Sequence, residues 1–573
     1  MRWQLAPVDS GKVGRLAESA GVSPLTARLL TLRGIESAEE ADGFLHPRLS
    51  HLHNPYRMAD MPAAVERLRR AIARKEKILI YGDYDVDGTM AVVVLLTALD
   101  ALGANVEAYV PHRLADGYGM RVSQIERAGA EGFRVVLSVD TGIREHAEIS
   151  RARELGIDCI VTDHHLPERT LPLACAILNP RRNDCAYPEK NLSGVGVAFK
   201  LAQAMLGERL SERQVESYLK VVAIGTVADV VPLTGENRVI ASFGLHGLAQ
   251  PSQAGLEALL NVAGLLGRSV SAGDVAFRIA PRLNAAGRME DAREVINLFR
   301  AENAEEARRI AERLDELNHE RQRVEDLILR DIIAQMERDR EKAQRYSLVF
   351  GGPGWHRGVI GIVAQRVVER YYRPTLVVGI EDGSAQGSGR SVANFHLLEA
   401  LTECRDLFER FGGHAQAAGF TMPAARLKEL EERFEHCARS RLRSADLEPL
   451  LKLDAELDMA EIDWDLYQEL KQLEPFGAGN PTPVFLMRDL RVVLPPRIVG
   501  EKHLKIRVAR NGRCLDAIGW GKADRAREAP EGQAIDVAFT LGENTYQGAA
   551  SMQMVLRDFR PARDRGEPTT AQR

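Results

Sequence analysis

"KILIYGDYDVDGTM" (residues 77–90) carries a short apolar run into three alternate aspartates, Asp83, Asp85 and Asp87, and then into "AVVVLLTALDALG" (91–103). The first run has the length and residue types of a buried strand, and the last those of a buried helix. The three carboxylates therefore sit side by side at a strand-to-helix junction. Like charges so placed repel, and each loses water as the surrounding core forms. A cation is the usual remedy, and the rest of the chain has to say which one.

Three readings compete. As a calcium loop, "DYDVDG" fills the first six positions, but the twelfth, which should be a bidentate Glu, is Val94. "TMAVVVLL" (89–96) offers no further oxygen ligands, so that reading fails. "DVDGT" also resembles the haloacid-dehalogenase phosphatase signature, with Asp85 as nucleophile and Asp87 as acid/base. The third reading is a metal site completed by acids and imidazoles from other strand ends. Against all three stands a merely solvated Asp-rich turn, disfavoured because both flanks read as buried.

The chain of 573 residues is long enough for roughly three or four domains. Its 76 Lys and Arg against 81 Asp and Glu give a net charge of −5, so any nucleic-acid site must be a local basic patch rather than a global field. Six cysteines (159, 175, 185, 404, 437, 514) form no CxxC pair and sit mostly in apolar surroundings. That pattern predicts reduced, buried thiols and argues against zinc. No apolar run reaches membrane-spanning length, and the N-terminus lacks the apolar core of a signal peptide. The expectation is a cytoplasmic protein with no membrane partner.

From residue 77, strand and helix patterns alternate: "KILIYG", "NVEAYVP", "FRVVLSV", "DCIVT" and "CAILNP" as strands, with helices near 89–103, 122–131, 144–155 and 194–206. This predicts an α/β domain with a doubly wound parallel sheet, whose ligands bind at the carboxyl ends of its strands. "VDTG" puts Asp140 at the third strand end, "TDHH" puts Asp163, His164 and His165 at the fourth, and "AIGTVADVVPL" adds Asp229. Carboxylate and imidazole from four segments converge on one sheet edge. A dehalogenase-type site would need a later Lys and a GDxxxD strand end, and none follows.

"GDYDVDGTM", "VDTG", "DHH" and "GTVADVVPL", in this order, resemble the DHH phosphoesterase superfamily and, within it, its bacterial single-stranded-DNA exonucleases. "APRLNAAGRM", "GSGRS", "GGHAQAAGF" and "EPFGAGNPTPVF" extend the resemblance to about residues 40–560. It implies two divalent cations, Mn2+ or Mg2+. Asp85, with Asp83, would hold one, Asp87, His164 and Asp229 the other, and Asp140 would bridge. His165 would face the scissile phosphate, and Asp163 would orient its neighbours. Relatives often carry a His where this chain has Tyr81, and Asp83 is the candidate substitute. Arg113, Arg282, Ser388 and Arg390 are expected on loops as phosphate contacts, Tyr118 as a base stacker and His414 as a nucleotide contact.

Residues 303–350 contain no Gly or Pro. Ile310, Leu314, Leu317, Val324 and Ile328 form a narrow stripe on a charged rod, which predicts one spacer helix of about 40 residues and about 60 Å; two helices broken near His319 are the alternative. From about 450, short alternating strands predict an OB-type β-barrel. Eight basic residues against two acids between 488 and 513 suggest a phosphate-tracking groove. The expected division is an N-terminal helical segment (1–70), a DHH catalytic domain (71–235), a helical region with the long helix (236–345), a smaller α/β DHHA1 domain (346–448), an OB fold (449–562) and a disordered tail (563–573). The function so implied is metal-dependent 5′→3′ hydrolysis of single-stranded DNA to 5′-mononucleotides, in DNA repair and recombination. Its partners would be DNA with a 5′ end, a single-strand-binding protein and a helicase. The alternatives are a DHH phosphodiesterase for short oligonucleotides or cyclic dinucleotides, and a non-catalytic DNA-binding relative.

Overall fold

The computed structural model describes residues 1–113, 116–117, 119–339, 341–544 and 550–562. The chain divides into two compact units, residues 52–449 and residues 1–51 with 450–573.

In the first unit, Lys77–Tyr81 (β1), Asn105–Tyr109 (β2), Phe133–Val139 (β3), Asp158–Thr162 (β4) and Ala176–Leu178 (β5) make one sheet. Its order is β2–β1–β3–β4–β5, and every pairing is parallel. The chain leaves β1 toward β2 on one side and later lays β3 on the other. The order therefore reverses at the β1/β3 seam, where open α/β sheets form their ligand crevice. Val86–Ala101 (α1) follows β1, and Asp85 caps it by accepting the Gly88 N–H at 3.0 Å. Almost every residue of α1 is buried, as its unbroken apolar sequence requires. Gly194–Leu206 (α2) and Glu212–Ala228 (α3) pack on it.

Ala280–Met289 (α4) precedes the long helix Ala304–Arg338 (α5), 35 residues that continue through His319 without a break. That is about 52 Å at 1.5 Å per residue. The helix is shorter than expected and is not a bare spacer. Ala307, Ile310, Ala311, Leu314 and Leu317 are buried in its first half. Ile328 and Ile332 share a core with Phe350, Trp355, Ile360 and Val363. A buried ion pair, Arg321–Glu325 at 2.8 Å, accounts for charge inside the stripe. The domain that follows α5 is a five-stranded mixed sheet in which Ser384–Arg390 (β6) lies centrally, between Thr375–Glu381 and Ala417–Pro423. Ser388 and Arg390 thus stand on a strand, not on a loop as the sequence suggested.

In the second unit, strands Phe485–Val492, Ala534–Asn544, Ser551–Pro561, Arg513–Gly519 and His503–Arg510 pair in that order. Pairing of His503–Arg510 with Phe485–Val492 closes them into a five-stranded barrel. The expected 1–70 segment is cut at residue 51. Leu16, Leu29, Leu30 and Phe44 join the barrel core with Phe485, Phe539 and Phe559. Arg2–Leu5 pairs in parallel with Leu450–Leu453, and Trp3 Nε1 donates to Asp558 Oδ2 at 2.7 Å.

Half of the basic residues at 488–513 are paired on the spot. Arg488 pairs with Glu456, Lys505 and Arg507 with Asp516, and Arg510 with Asp458. Arg491, Arg497, Lys502 and Arg513 keep no carboxylate partner among the described residues, Arg513 donating instead to the carbonyls of Met459 and Ala460. The thiol expectation also needs correction, since Cys175 and Cys514 are exposed while the other four are buried.

Candidate active site

The Asp-rich turn delivers its carboxylates in different ways. Asp83 is buried, and its Oδ1 has no hydrogen-bond partner. Asp85 is the cap of α1. Asp87, one residue into the helix, accepts the N–H groups of Gly194 (2.6 Å) and Val195 (3.0 Å) from the first turn of α2. Helix N-termini favour such a charge.

Asp140 follows β3 in the left-handed region, with φ 58°, and its N–H donates to Thr162 O at 2.9 Å. A non-glycine residue held there is uncommon and turns the side chain back over the sheet edge. Asp163 follows β4 and spends its carboxylate on the backbone. It accepts the N–H groups of Ile143, His164 and His165 as well as contacting His165 Nδ1 at 2.7 Å. Asp229 ends α3 as its C-cap.

Together these residues make three overlapping ligand groups, one of them Asp140 with His164 and His165, and two that share no residue. The oxygens offered by Asp83, Asp85 and Asp140 lie within 4.8 Å of one another, as do the ligand atoms of Asp87, His164 and Asp229. His164 Nε2 stands 3.2 Å from Asp140 Oδ1 and 3.6 Å from Asp229 Oδ2, which joins the two sets. Oδ1 of Asp140, Oδ2 of Asp229 and Nδ1 of His164 are buried without a hydrogen-bond partner. Buried orphan oxygens and an imidazole, gathered from several segments, are a donor set for hard or borderline divalent cations.

The titration behaviour has the same origin. Burial, and then the neighbouring Asp85 charge, push Asp87 up to about 7. Burial with Asp87 and Asp85 pushes Asp229 up to about 9. Asp83 and Asp140 are raised for the same reasons. Burial and the charge of His165 lower His164 to about 4, leaving a neutral imidazole. Burial opposes charge at Asp163 and His165 too, but their mutual hydrogen bond wins. It holds Asp163 near 2 and raises His165.

Tyr81 does not reach this edge. It is fully buried in the core on one face of the sheet, its ring 5.2 Å from that of Tyr109.

Beside the Asp-rich turn lies a cavity of about 290 Å³ lined by Asp83, Tyr84, Asp87, Arg113, Asp229, Asn284 and Arg288 among others. Arg113 stacks on the Tyr84 ring at 4.7 Å. Arg288 donates to Gly358 O at 3.0 Å, and burial followed by the charges of Arg113, Arg321 and Arg390 lowers it to about 9. Arg390, beside Ser388 at 3.3 Å, is lowered by burial and by Arg113. Guanidinium groups from three separate segments are thus close enough to feel one another, two of them lining the cavity beside its aspartates. His414 feels the charges of Arg144 and His165 after burial.

Arg282 is the exception among the expected phosphate contacts. It turns toward α5, with Nε 2.8 Å from Asp315, and bonds the Arg278 carbonyl. Arg288, not the Arg282 singled out from the sequence, is the arginine of "APRLNAAGRM" that lines the cavity. On a helix Asn284 and Arg288 are four apart and share a face, whereas Arg282 lies about 240° round from Arg288. Helical periodicity separates the two arginines onto different faces, but which face meets the cavity is set by the packing of the helix. Tyr118 lies outside the described residues.

A parallel-sheet edge crowded with aspartates and an Asp-His-His turn is the architecture of the DHH phosphoesterases. The DHH family N-terminal domain model matches residues 77–226, the DHHA1 domain 344–440 and the RecJ OB domain 453–558. The single-stranded-DNA-specific exonuclease RecJ of Bacillus subtilis is 38% identical over 97% of this chain and 70% of its own length. That of Escherichia coli is 36% identical over 95% and 96%. The crystal structure of RecJ in complex with Mn2+ from Thermus thermophilus superposes with a TM-score of 0.84 at 32% identity, covering 98% of this chain and 80% of that one. The chain belongs to the RecJ family of exonucleases.

Proposed function

We propose that this protein is a metal-dependent exonuclease that hydrolyses single-stranded DNA from its 5′ end and releases 5′-mononucleotides. It would act in the cytoplasm beside a single-strand-binding protein and a helicase. The observation that carries the reading is the pair of ligand sets joined at Asp140 and His164, with Arg113 and Arg288 lining the cavity beside their aspartates. Asp83, Asp85 and Asp140 would hold one Mn2+ or Mg2+, and Asp87, His164 and Asp229 the other. Two such cations, when bound, activate the attacking water and offset charge on the phosphoryl oxygens.

The protein's own residues do the rest. Asp163 holds the His165 ring by its Nδ1 and favours its protonated form, and the ring, 3.9 Å from Asp140, would face the scissile phosphate. Arg113, Arg288 and Arg390 with Ser388 would hold the terminal 5′-phosphate, a dianion that an internal phosphate cannot mimic. Seating that group in the cavity registers the strand by one nucleotide against the ligand sets. In the barrel unit, Arg497 and Lys502 beside exposed Ile498, Val499 and Trp520 suit a strand of stacked bases and phosphates.

The test uses 5′- and 3′-labelled single strands with Mn2+ present or chelated. Mononucleotide release from the 5′ label, abolished by chelation, is expected. Release from the 3′ label, or activity that survives chelation, overturns the reading.

A further inference from the structure

The gap between the two ligand sets is kept by a residue with no side chain. Gly194 opens α2 and gives its N–H to Asp87 Oδ2 at 2.6 Å. A Cβ on Gly194 would lie 2.6 Å from Asp140 Oδ1 and 2.8 Å from the Asp140 Cβ and Cγ. One main-chain residue therefore touches a carboxylate of each set, Asp87 with its N–H and Asp140 with its bare Cα.

Backbone freedom does not explain the glycine. Gly194 is absent from the positive-φ positions, and in a helix glycine is worse than alanine by about 1 kcal/mol. What the position requires is the missing methyl group. Asp140 can yield to one only by giving up the contacts that hold it. It is 3% exposed, its N–H is tied to Thr162, its φ is 58°, and His164 Nε2 stands 3.2 Å from its Oδ1. Gly196, two residues on, is different. The nearest atoms to a Cβ there belong to Leu192 and Ser193, at 3.3 Å and beyond.

We propose that Gly194 is a positioning residue of the metal centre. Its bare Cα lets Asp140 close against the same helix end that holds Asp87, and so sets the separation of the two ions. This rests on the two-ion reading above. A methyl group at 194 displaces Asp140 from the shared space while Asp87, His164 and Asp229 stay together, so the set of Asp83, Asp85 and Asp140 is lost first.

The experiment titrates Mn2+ into the metal-free full chain by calorimetry and records low-temperature EPR for wild type, Gly194→Ala and Gly196→Ala. Wild type and Gly196→Ala should bind two Mn2+ with a spin-coupled spectrum. Gly194→Ala should bind one Mn2+, uncoupled, with the second weakened about 10- to 100-fold. Two coupled ions in Gly194→Ala at wild-type affinity overturn the assignment to Gly194 alone. A wild-type stoichiometry other than two overturns the two-ion reading and the proposal with it. Should Gly194→Ala fail to fold, Gly194→Ala with Asp140→Gly removes the group the methyl meets, and the glycine suits φ 58°. Recovery of the wild-type circular dichroism spectrum and a cooperative melt supports the proposal, and no recovery overturns it.

Discussion

Arg288 and Arg282 belong to one short helix and are chemically identical, so replacing each by alanine separates a role in the cavity from a role in packing. Arg288 lines the cavity and is crowded by Arg113, Arg321 and Arg390. Arg282 is paired with Asp315. If Arg288 holds the terminal phosphate, Arg288→Ala removes a charge-assisted hydrogen bond of about 1.5–3 kcal/mol. At about 1.4 kcal/mol per factor of ten, KM for 5′-phosphorylated strands rises roughly 10- to 150-fold, and that for 5′-hydroxyl strands much less. Because the guanidinium is disfavoured in the DNA-free fold by burial and like charge, the thermal midpoint of Arg288→Ala should not drop. Arg282→Ala reverses the pattern. It strands the partly buried Asp315 carboxylate, lowers the midpoint and leaves the phosphorylated-to-hydroxyl KM ratio at the wild-type value. Steady-state kinetics on both end types and a thermal melt of each variant decide it. An equal KM rise on both ends for Arg288→Ala, or a larger end preference lost in Arg282→Ala, refutes the placement of the terminal phosphate.

Metal affinity should depend on pH with a fixed sign. Asp87 and Asp229, raised to about 7 and about 9, hold protons that a divalent ion must displace, so Mn2+ binds more tightly as pH rises from about 6 to about 8. Calorimetry showing a pH-independent Kd would count against these carboxylates as ligands. The same groups destabilise the metal-free fold with rising pH. Their folded pKa exceeds the unfolded value near 4, so the unfolded chain gives up its protons first. The metal-free thermal midpoint should therefore fall between about pH 4 and pH 9, and added Mn2+ should reverse the trend. Finally, a fragment of residues 52–449 should fold and cleave short strands, whereas a cut that removes only 450–573 bares Leu16, Leu29, Leu30 and Phe44 and should aggregate. Equal solubility of the two fragments by size-exclusion chromatography would contradict the shared barrel core.

Much of the site was legible in one dimension because a parallel sheet aligns its strand ends by construction. An aspartate directly after an apolar strand has one place to go, the carboxyl edge. Asp83, Asp85, Asp87, Asp140 and His164 could therefore be grouped from strand patterns alone, and Asp229 from its place at the end of a helix-like stretch. The uninterrupted α5 and the alternating strands of the barrel were likewise written locally, as apolar period and as the absence of breakers.

The tertiary structure decided what depends on contacts between distant segments, which leave no local period. Nothing near Trp3 says that it bonds Asp558, 555 residues away, or that residues 1–51 complete the barrel core. The basic run at 488–513 looks like one continuous groove until Glu456, Asp458 and Asp516 arrive beside it and pair four of its eight basic residues. Arg282 and Arg288 differ only in which side of a helix they occupy, and what each side faces is set by α5 and by the sheet that follows it. Charge and apolarity are properties of a residue, but the partner that neutralises or buries it is a property of the fold.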